Sequence, residues 1–214
     1  MANRTVIIAG ATGLVGRELL RGLLADPFVD HVHVVGRRAP PVVAPKLTAH
    51  IVDFAALTPL PSADELYLAL GTTIKVAGSQ AAFRAVDHDA NLAVAKAALA
   101  GGTRRVGLVS AMGADAKSRI FYSRVKGELE EDLGALPFAG LVIARPSLLM
   151  GPREELGQPA RPGEAWGNAL NTIVGFLIPP NYKPIPASDV AQALLSTVPT
   201  AAGVKVLLSG EMRR

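Results

Sequence analysis

Tyr122 and Lys126 stand four residues apart in the sequence, and Ser110 lies upstream of both. On a helix, positions i and i+4 share a face, so a phenol and an ammonium would meet there. A free phenol titrates near pH ~10, and a neighbouring ammonium favours its ionised form. A tyrosine placed in this way can pass a proton to, or take one from, a substrate oxygen that the Ser110 hydroxyl also binds. Tyr-x-x-x-Lys alone is common by chance. Its meaning depends on what the rest of the chain brings to the site.

The first residues supply that context. Gly10-Ala11-Thr12-Gly13-Leu14-Val15-Gly16 spaces three glycines evenly between an apolar run, Thr5 to Ala9, and an amphipathic stretch. The first glycine suits a tight turn, the second a close approach of pyrophosphate to backbone, and the third close helix–strand packing. The free N–H groups of the first turn, from Leu14, Val15 and Gly16, then face the phosphates. A dinucleotide-binding βα turn is the expectation, and a βα turn without a ligand is the plainer alternative.

Sites that select NAD place an acid about 20 residues past such glycines. This chain has Gly36-Arg37-Arg38 at the end of its second apolar run. Two guanidiniums suit a ribose 2′-phosphate, so the expected cofactor is NADP(H), unless the two arginines are merely solvated. Asp53 can accept from an adenine amino group or act as a loop cap. With a dinucleotide present, Lys126 can also hold the nicotinamide ribose. The constellation then reads as hydride exchange between NADP(H) and a small carbonyl or alcohol.

These residues need a scaffold. Apolar runs at Thr5–Ala9, His31–Val35, Thr48–Val52, Glu65–Leu70, Arg105–Ser110 and Gly140–Ala144 read as strands. Between them, Leu14–Ala25, a long alanine-rich stretch over 79–100, and Ile120–Leu136 read as helices. This alternation predicts an α/β fold, a Rossmann-type doubly wound parallel sheet with helices on both faces. Residues 151–163 read as a Gly/Pro/Arg-rich loop and 165–176 as a helix. Ser188-Asp189 would cap a helix over 190–198, and Lys205–Leu208 would be a last strand. The expected organisation is one domain, 1–214, with a small C-terminal substrate-side cap over 147–187.

Composition narrows the classes. Half of the 214 residues are hydrophobic and 19% are charged, which permits a large core and argues against global disorder. Aromatics are only 5%, so the core falls to Val, Ile, Leu and Ala. The absence of cysteine excludes disulfides, thiolate metal sites and a cysteine nucleophile. No signal-peptide pattern opens the chain, and 170–180 is too short to span a bilayer. A cytoplasmic protein with no membrane partner is expected. The net charge of +4 comes without any long Lys/Arg run interleaved with aromatics, so no nucleic-acid partner is expected.

The combined motifs resemble the short-chain dehydrogenase/reductase superfamily, and within it the atypical branch of Tat-interacting-protein oxidoreductases and their bacterial relatives. The resemblance covers nearly the whole chain. It is carried by residues 10–16, Gly-Arg-Arg (36–38), Val-Asp-Phe (52–54), Leu-Gly-Thr-Thr (70–73) and Val-Ser-Ala-Met-Gly-Ala-Asp (109–115). Tyr-Ser-Arg-Val-Lys-Gly-Glu (122–128), Ala-Arg-Pro-Ser (144–147) and Arg-Pro-Gly-Glu (161–164) complete it. It implies Ser110, Tyr122 and Lys126 as the catalytic set, and Leu70, Gly71 and Thr72 as strand-end lining beside the cofactor. Asp53 and its neighbour Phe54 are expected among the cofactor-binding residues. It also implies backbone contacts to the nicotinamide around Pro146, Ser147 and Leu148. Asp87 departs from the pattern, since larger relatives often carry asparagine in that helix, and Asn91 is a weak substitute for a relay there.

The other conspicuous residues have plain readings. His31 and His33 share a strand face with no third ligand, so no metal is expected. Asp87-His88-Asp89 reads as a solvated helix face. Arg104, Arg105, Arg119 and Arg124 read as surface, and Lys75 as a substrate-side candidate. The alanine-rich helix can pack within the protomer or against a copy in a homodimer. An alternative function remains beside the enzyme, a regulatory protein that senses NADP(H) by ordering residues 151–180.

Overall fold

The structure, a computed structural model, describes residues 3–150 and 179–213. β1 (Arg4–Ala9) has Val6 through Ala9 fully buried. A strand covered on both faces must lie inside a sheet, and β1 pairs in parallel with β2 (Val29–Gly36) on one side and β4 (Glu65–Leu68) on the other. The seven parallel strands run in the order β3-β2-β1-β4-β5-β6-β9, with β3 at Leu47–Ile51, β5 at Arg105–Val109, β6 at Gly140–Arg145 and β9 at Gly203–Leu208.

Alternation along β1 feeds two cores. Val6 and Ile8 pack with Leu19 and Leu23 of α1 (Leu14–Ala25) and with Val190 and Leu194 of α6 (Ala187–Thr197). Ile7 and Ala9 pack with Val94 and Ala98 of α4 (Asn91–Ala100) and Leu129 and Leu133 of α5 (Phe121–Gly134). Helices therefore cover both faces, and the sheet is doubly wound. The chain winds outward through β2 and β3, then returns to the far side of β1 at β4. The crevice beyond the ends of β1 and β4 is the switch point where this architecture binds ligands.

Three local expectations are corrected. The long helix over 79–100 is interrupted: α2 (Ile74–Ala77) and α3 (Gln80–Arg84) precede a π-helical segment, Ala85–Ala90, and only then α4. α6 begins at Ala187, after Pro184 and Pro186, so Ser188 and Asp189 sit inside its first turn and do not cap it. The third histidine that β2 lacked comes from β3. His33 Nδ1 is 3.0 Å from His50 Nε2, and the His31 and His33 rings are 4.5 Å apart. Even so, no group arranged to hold a metal occurs among the described residues.

The loop over 151–163, the helix over 165–176 and most of the cap lie outside the described residues. Of the cap, a two-stranded pair remains, β7 (Leu149–Met150) with β8 (Ile185–Pro186), followed after β9 by α7 (Ser209–Met212). No helix among the described residues is long and apolar enough to cross a membrane.

Candidate functional site

The three glycines of the β1–α1 turn are required for different reasons. Gly10 has φ +89°, and a Cβ there would come within 2.4 Å of the Ala69 carbonyl. A Cβ on Gly16 would lie 2.0 Å from the Gly10 oxygen, so α1 packs onto the turn only if that position is bare. Gly13 differs. Its φ is ordinary at −79°, and the nearest protein atom to a Cβ would be 3.5 Å away. Nothing among the described residues requires glycine at 13. A ligand lying on the turn would require it, as the pyrophosphate of a dinucleotide does.

That turn is the floor of a cleft of about 620 Å³ at the switch point. Gly10, Thr12, Gly13, Arg37, Arg38, Phe54, Leu70, Gly71 and Thr72 all line it. Leu14, Val15 and Gly16 form the helical turn behind it, with Val15 and Gly16 buried. Asp53 is not part of the lining. Its carboxylate accepts the Ala55 N–H at 3.0 Å and caps a short 3₁₀ turn, Phe54–Ala56. Arg17 also lines the cleft, and sequence reasoning passed over it. No carboxylate lines the cleft among the described residues, although three arginines do.

α5 places Tyr122, Lys126 and Glu130 at successive four-residue steps on one face. Lys126 is buried, and its Nζ lies 2.7 Å from Oδ1 of Asp87, which is 1% exposed. The other Asp87 oxygen accepts the Thr72 N–H at 2.8 Å. A Cβ on Gly71 would lie 3.5 Å from Asp87 Oδ1 and 3.9 Å from Lys126 Nζ, so this ion pair stands directly behind the cleft wall. Asn91 holds the same corner by donating to the carbonyls of Leu70, Val86 and Asp87, each at 3.2 Å. The π-helical segment makes this possible, because its wider turn aims Asp87 and His88 inward. His88 is 5% exposed and links Asp89 (2.8 Å) to Asp132 of α5 (3.0 Å), which corrects its reading as part of a solvated face.

Ser110 follows β5 and is buried, and its hydroxyl donates to Glu130. Glu130 is held from the other side by Arg145, whose Nε lies 3.1 Å and Nη2 2.5 Å from Oε2. The hydrogen bond to Glu130 raises the Arg145 pKa against the opposing effect of burial. With its proton given to Glu130, Ser110 presents acceptor lone pairs. Tyr122 is 36% exposed, its ring 5.5 Å from Phe83, and its phenol has no hydrogen-bond partner among the described residues. Ser110, Tyr122 and Lys126 are not hydrogen-bonded to one another.

Around 146–148 the backbone is occupied internally. Ser147 N–H donates to Ser209 at 2.7 Å, the Leu148 carbonyl accepts from Ile185 at 2.9 Å, and the Pro146 carbonyl accepts from Met112 at 2.8 Å. Lys75 lies on the short α2 and is exposed. Arg124 donates to the Ser118 carbonyl at 2.9 Å. Among the residues missed, Glu130 had a signal, its four-residue step from Lys126. The inward turn of Asp87 had none.

No protein-family model matches the sequence. In overall shape the chain is similar to MoeE5 in complex with UDP-glucuronic acid and NAD, with a TM-score of 0.70 and 18% identity over 95% of this chain and 75% of that one. It is equally similar to WbmH of Bordetella bronchiseptica in complex with NAD+, at TM-score 0.70 and 16% identity, covering 97% and 76%. At such identities the likeness is one of fold, a Rossmann-type sheet. Closer relatives come from fungi. The chain is 43% identical to the protein fmp52, mitochondrial, of Emericella nidulans, over 77% of this chain and 72% of that protein. It is 33% identical to the protein FMP52, mitochondrial, of Coccidioides immitis, over 97% and 88%. These names overturn the expectation of a cytoplasmic protein and point to mitochondria. At these identities, over most of both partners, the chain belongs to the Fmp52 family.

Proposed function

We propose that this protein is an NADP(H)-dependent oxidoreductase of the atypical short-chain type, acting on a small carbonyl or alcohol. Within the superfamily it resembles the Tat-interacting-protein branch, and residues 1–214 form one dinucleotide-binding domain. The observation that carries the reading is a shared wall. Gly71 and Thr72 form part of the wall of the glycine-turn cleft, and directly behind them Asp87 holds Lys126 on the helix that presents Tyr122. On this reading the phosphate-binding turn and the helix that carries Tyr122 share that wall, with Tyr122, Lys126 and Ser110 outside the cleft lining itself. The solved proteins of similar fold carry NAD in their own sites. Preference for a 2′-phosphate here rests on Arg37 and Arg38, which meet no acid in the cleft among the described residues.

A bound nicotinamide would supply hydride transfer. Thr12, Gly13 and the first turn of α1 would hold the pyrophosphate through backbone N–H groups. Phe54 would lie against the adenine, and Lys126 would reach the nicotinamide ribose past Gly71. Tyr122, the one member of the catalytic set with a free hydroxyl, would give its proton to the carbonyl oxygen during reduction. Ser110, whose proton points at Glu130, would accept a hydrogen bond from the hydroxyl that forms.

The test is NADPH oxidation against a panel of aldehydes, ketones and quinones. Turnover with at least one of them, falling about 100-fold or more in Tyr122→Phe, is the expected result. Tight NADPH binding with no turnover on any panel member would replace the enzyme with a cofactor sensor. That second reading draws support from the two carboxylates that already engage Ser110 and Lys126.

A further inference from the structure

Arg17 directly follows the third glycine and closes the first turn of α1. The positive end of a helix dipole lies there, so a cation is disfavoured and an acid would be preferred. That turn contains no acid. Side chains on a helix lean toward its N-terminus, which carries the guanidinium back over the glycine turn and into the wall of the cleft. Its Nε is buried without a hydrogen-bond partner, and Arg17 makes no ion pair among the described residues. Arg4, Arg84 and Arg145 have carboxylate partners. Arg105 and Arg213 share the unpartnered Nε and the lack of an ion pair among the described residues, but of these only Arg17 lines the cleft. A partly desolvated cation at the wrong end of a helix, lining with Arg37 and Arg38 a cleft that has no carboxylate among its described lining residues, is an arrangement that an anion would complete.

Resting on the NADP(H) reading, we infer that Arg17 is the principal determinant of cofactor choice, binding the adenosine 2′-phosphate together with Arg37 and Arg38. The pyrophosphate already has the N–H groups and dipole of α1. A phosphate monoester carries close to two charges at neutral pH and needs further cations. Arg37 and Arg38 are exposed and hydrated, so each exchanges water for phosphate at little gain. Arg17 brings a donor that has already left water, and a charge-assisted bond to it therefore discriminates most.

The experiment is fluorescence titration of the purified full chain with NADPH and with NADH, for the wild type, Arg17→Ala, Arg17→Lys and Arg37→Ala. Arg17→Ala should weaken NADPH binding by about tenfold or more and exceed the effect of Arg37→Ala, with NADH changed by less than about twofold. Arg17→Lys, which keeps charge but not the fork, should fall between. Competition by 2′,5′-ADP should weaken in Arg17→Ala in proportion to NADPH. Equal losses for both dinucleotides would move Arg17 to the pyrophosphate and overturn the inference, as would no loss in either arginine-17 variant. A wild type that binds NADH as tightly as NADPH would instead remove the 2′-phosphate reading, whatever Arg17 does.

Discussion

The ammonium of Lys126 lies 2.7 Å from the carboxylate of Asp87, and neither side chain is more than 6% exposed. The pair links α5 to the loop after β4, because the second carboxylate oxygen also caps the Thr72 N–H. Removing one partner of a buried pair leaves the other charge desolvated. Asp87→Ala should therefore lower unfolding free energy by about 3–5 kcal/mol, read from urea denaturation. Asp87→Asn, which keeps an acceptor for Thr72, should lose less. If Lys126 binds the nicotinamide ribose, saturating NADPH should narrow the deficit in Asp87→Ala, since the ribose hydroxyls then give the ammonium new acceptors.

Gly13 and Gly16 should separate binding from folding. Gly16→Ala forces a Cβ to within 2.0 Å of the Gly10 carbonyl oxygen and should destabilise the fold, with a Tm drop of several degrees. Gly13→Ala meets nothing closer than 3.5 Å and should melt close to the wild type, while NADPH affinity falls about tenfold or more. Unchanged affinity in a well-folded Gly13→Ala would mean that no phosphate approaches this turn.

Much of this scaffold was legible because strands buried on both faces read as apolar runs and the turns between them are marked by glycine. β1, β2 and the glycine turn are of this kind. Other features depend on neighbours far along the chain. His50 meets His33 because β2 and β3 pair in a particular register, which no local pattern encodes. Asp87-His88-Asp89 looked solvated because a regular α-helix would have turned it outward, and the π-helical segment re-aims it. Ser188-Asp189 has the composition of a cap, yet Pro186, with its fixed φ of −60°, starts the helix earlier. Arg17 was overlooked because the glycines beside it accounted for the motif.

Glu130 accepts from Ser110 and from the Arg145 fork together. Glu130→Gln keeps an oxygen for the serine but turns an amide toward a guanidinium, donor against donor. Stability should fall by about 1–3 kcal/mol, and Ser110→Ala should cost less, since Arg145 keeps its carboxylate. Chemical denaturation of the two variants checks the order.

His33 titrates at about 4 instead of 6.5, first because burial disfavours its charged form and then because His31 and His50 stand beside it. Between those values the unfolded chain binds a proton that the folded chain does not, so stability rises with pH through this window. Thermal melts should therefore show Tm falling as pH drops from 6.5 toward 4. His33→Phe should flatten that part of the profile.

The π-helical segment has one more consequence. A π turn holds an additional residue, so deleting a single residue within Ala85–Ala90 would restore an ordinary helix. Each residue of an α-helix advances the side-chain direction by about 100°. Asp87 would then swing off Lys126, and α5 would lose its tether to the loop after β4 with no change in the glycine turn or in Arg37 and Arg38. In this fold, one inserted backbone unit acts as the clutch between the cleft wall at Thr72 and the helix that carries Tyr122.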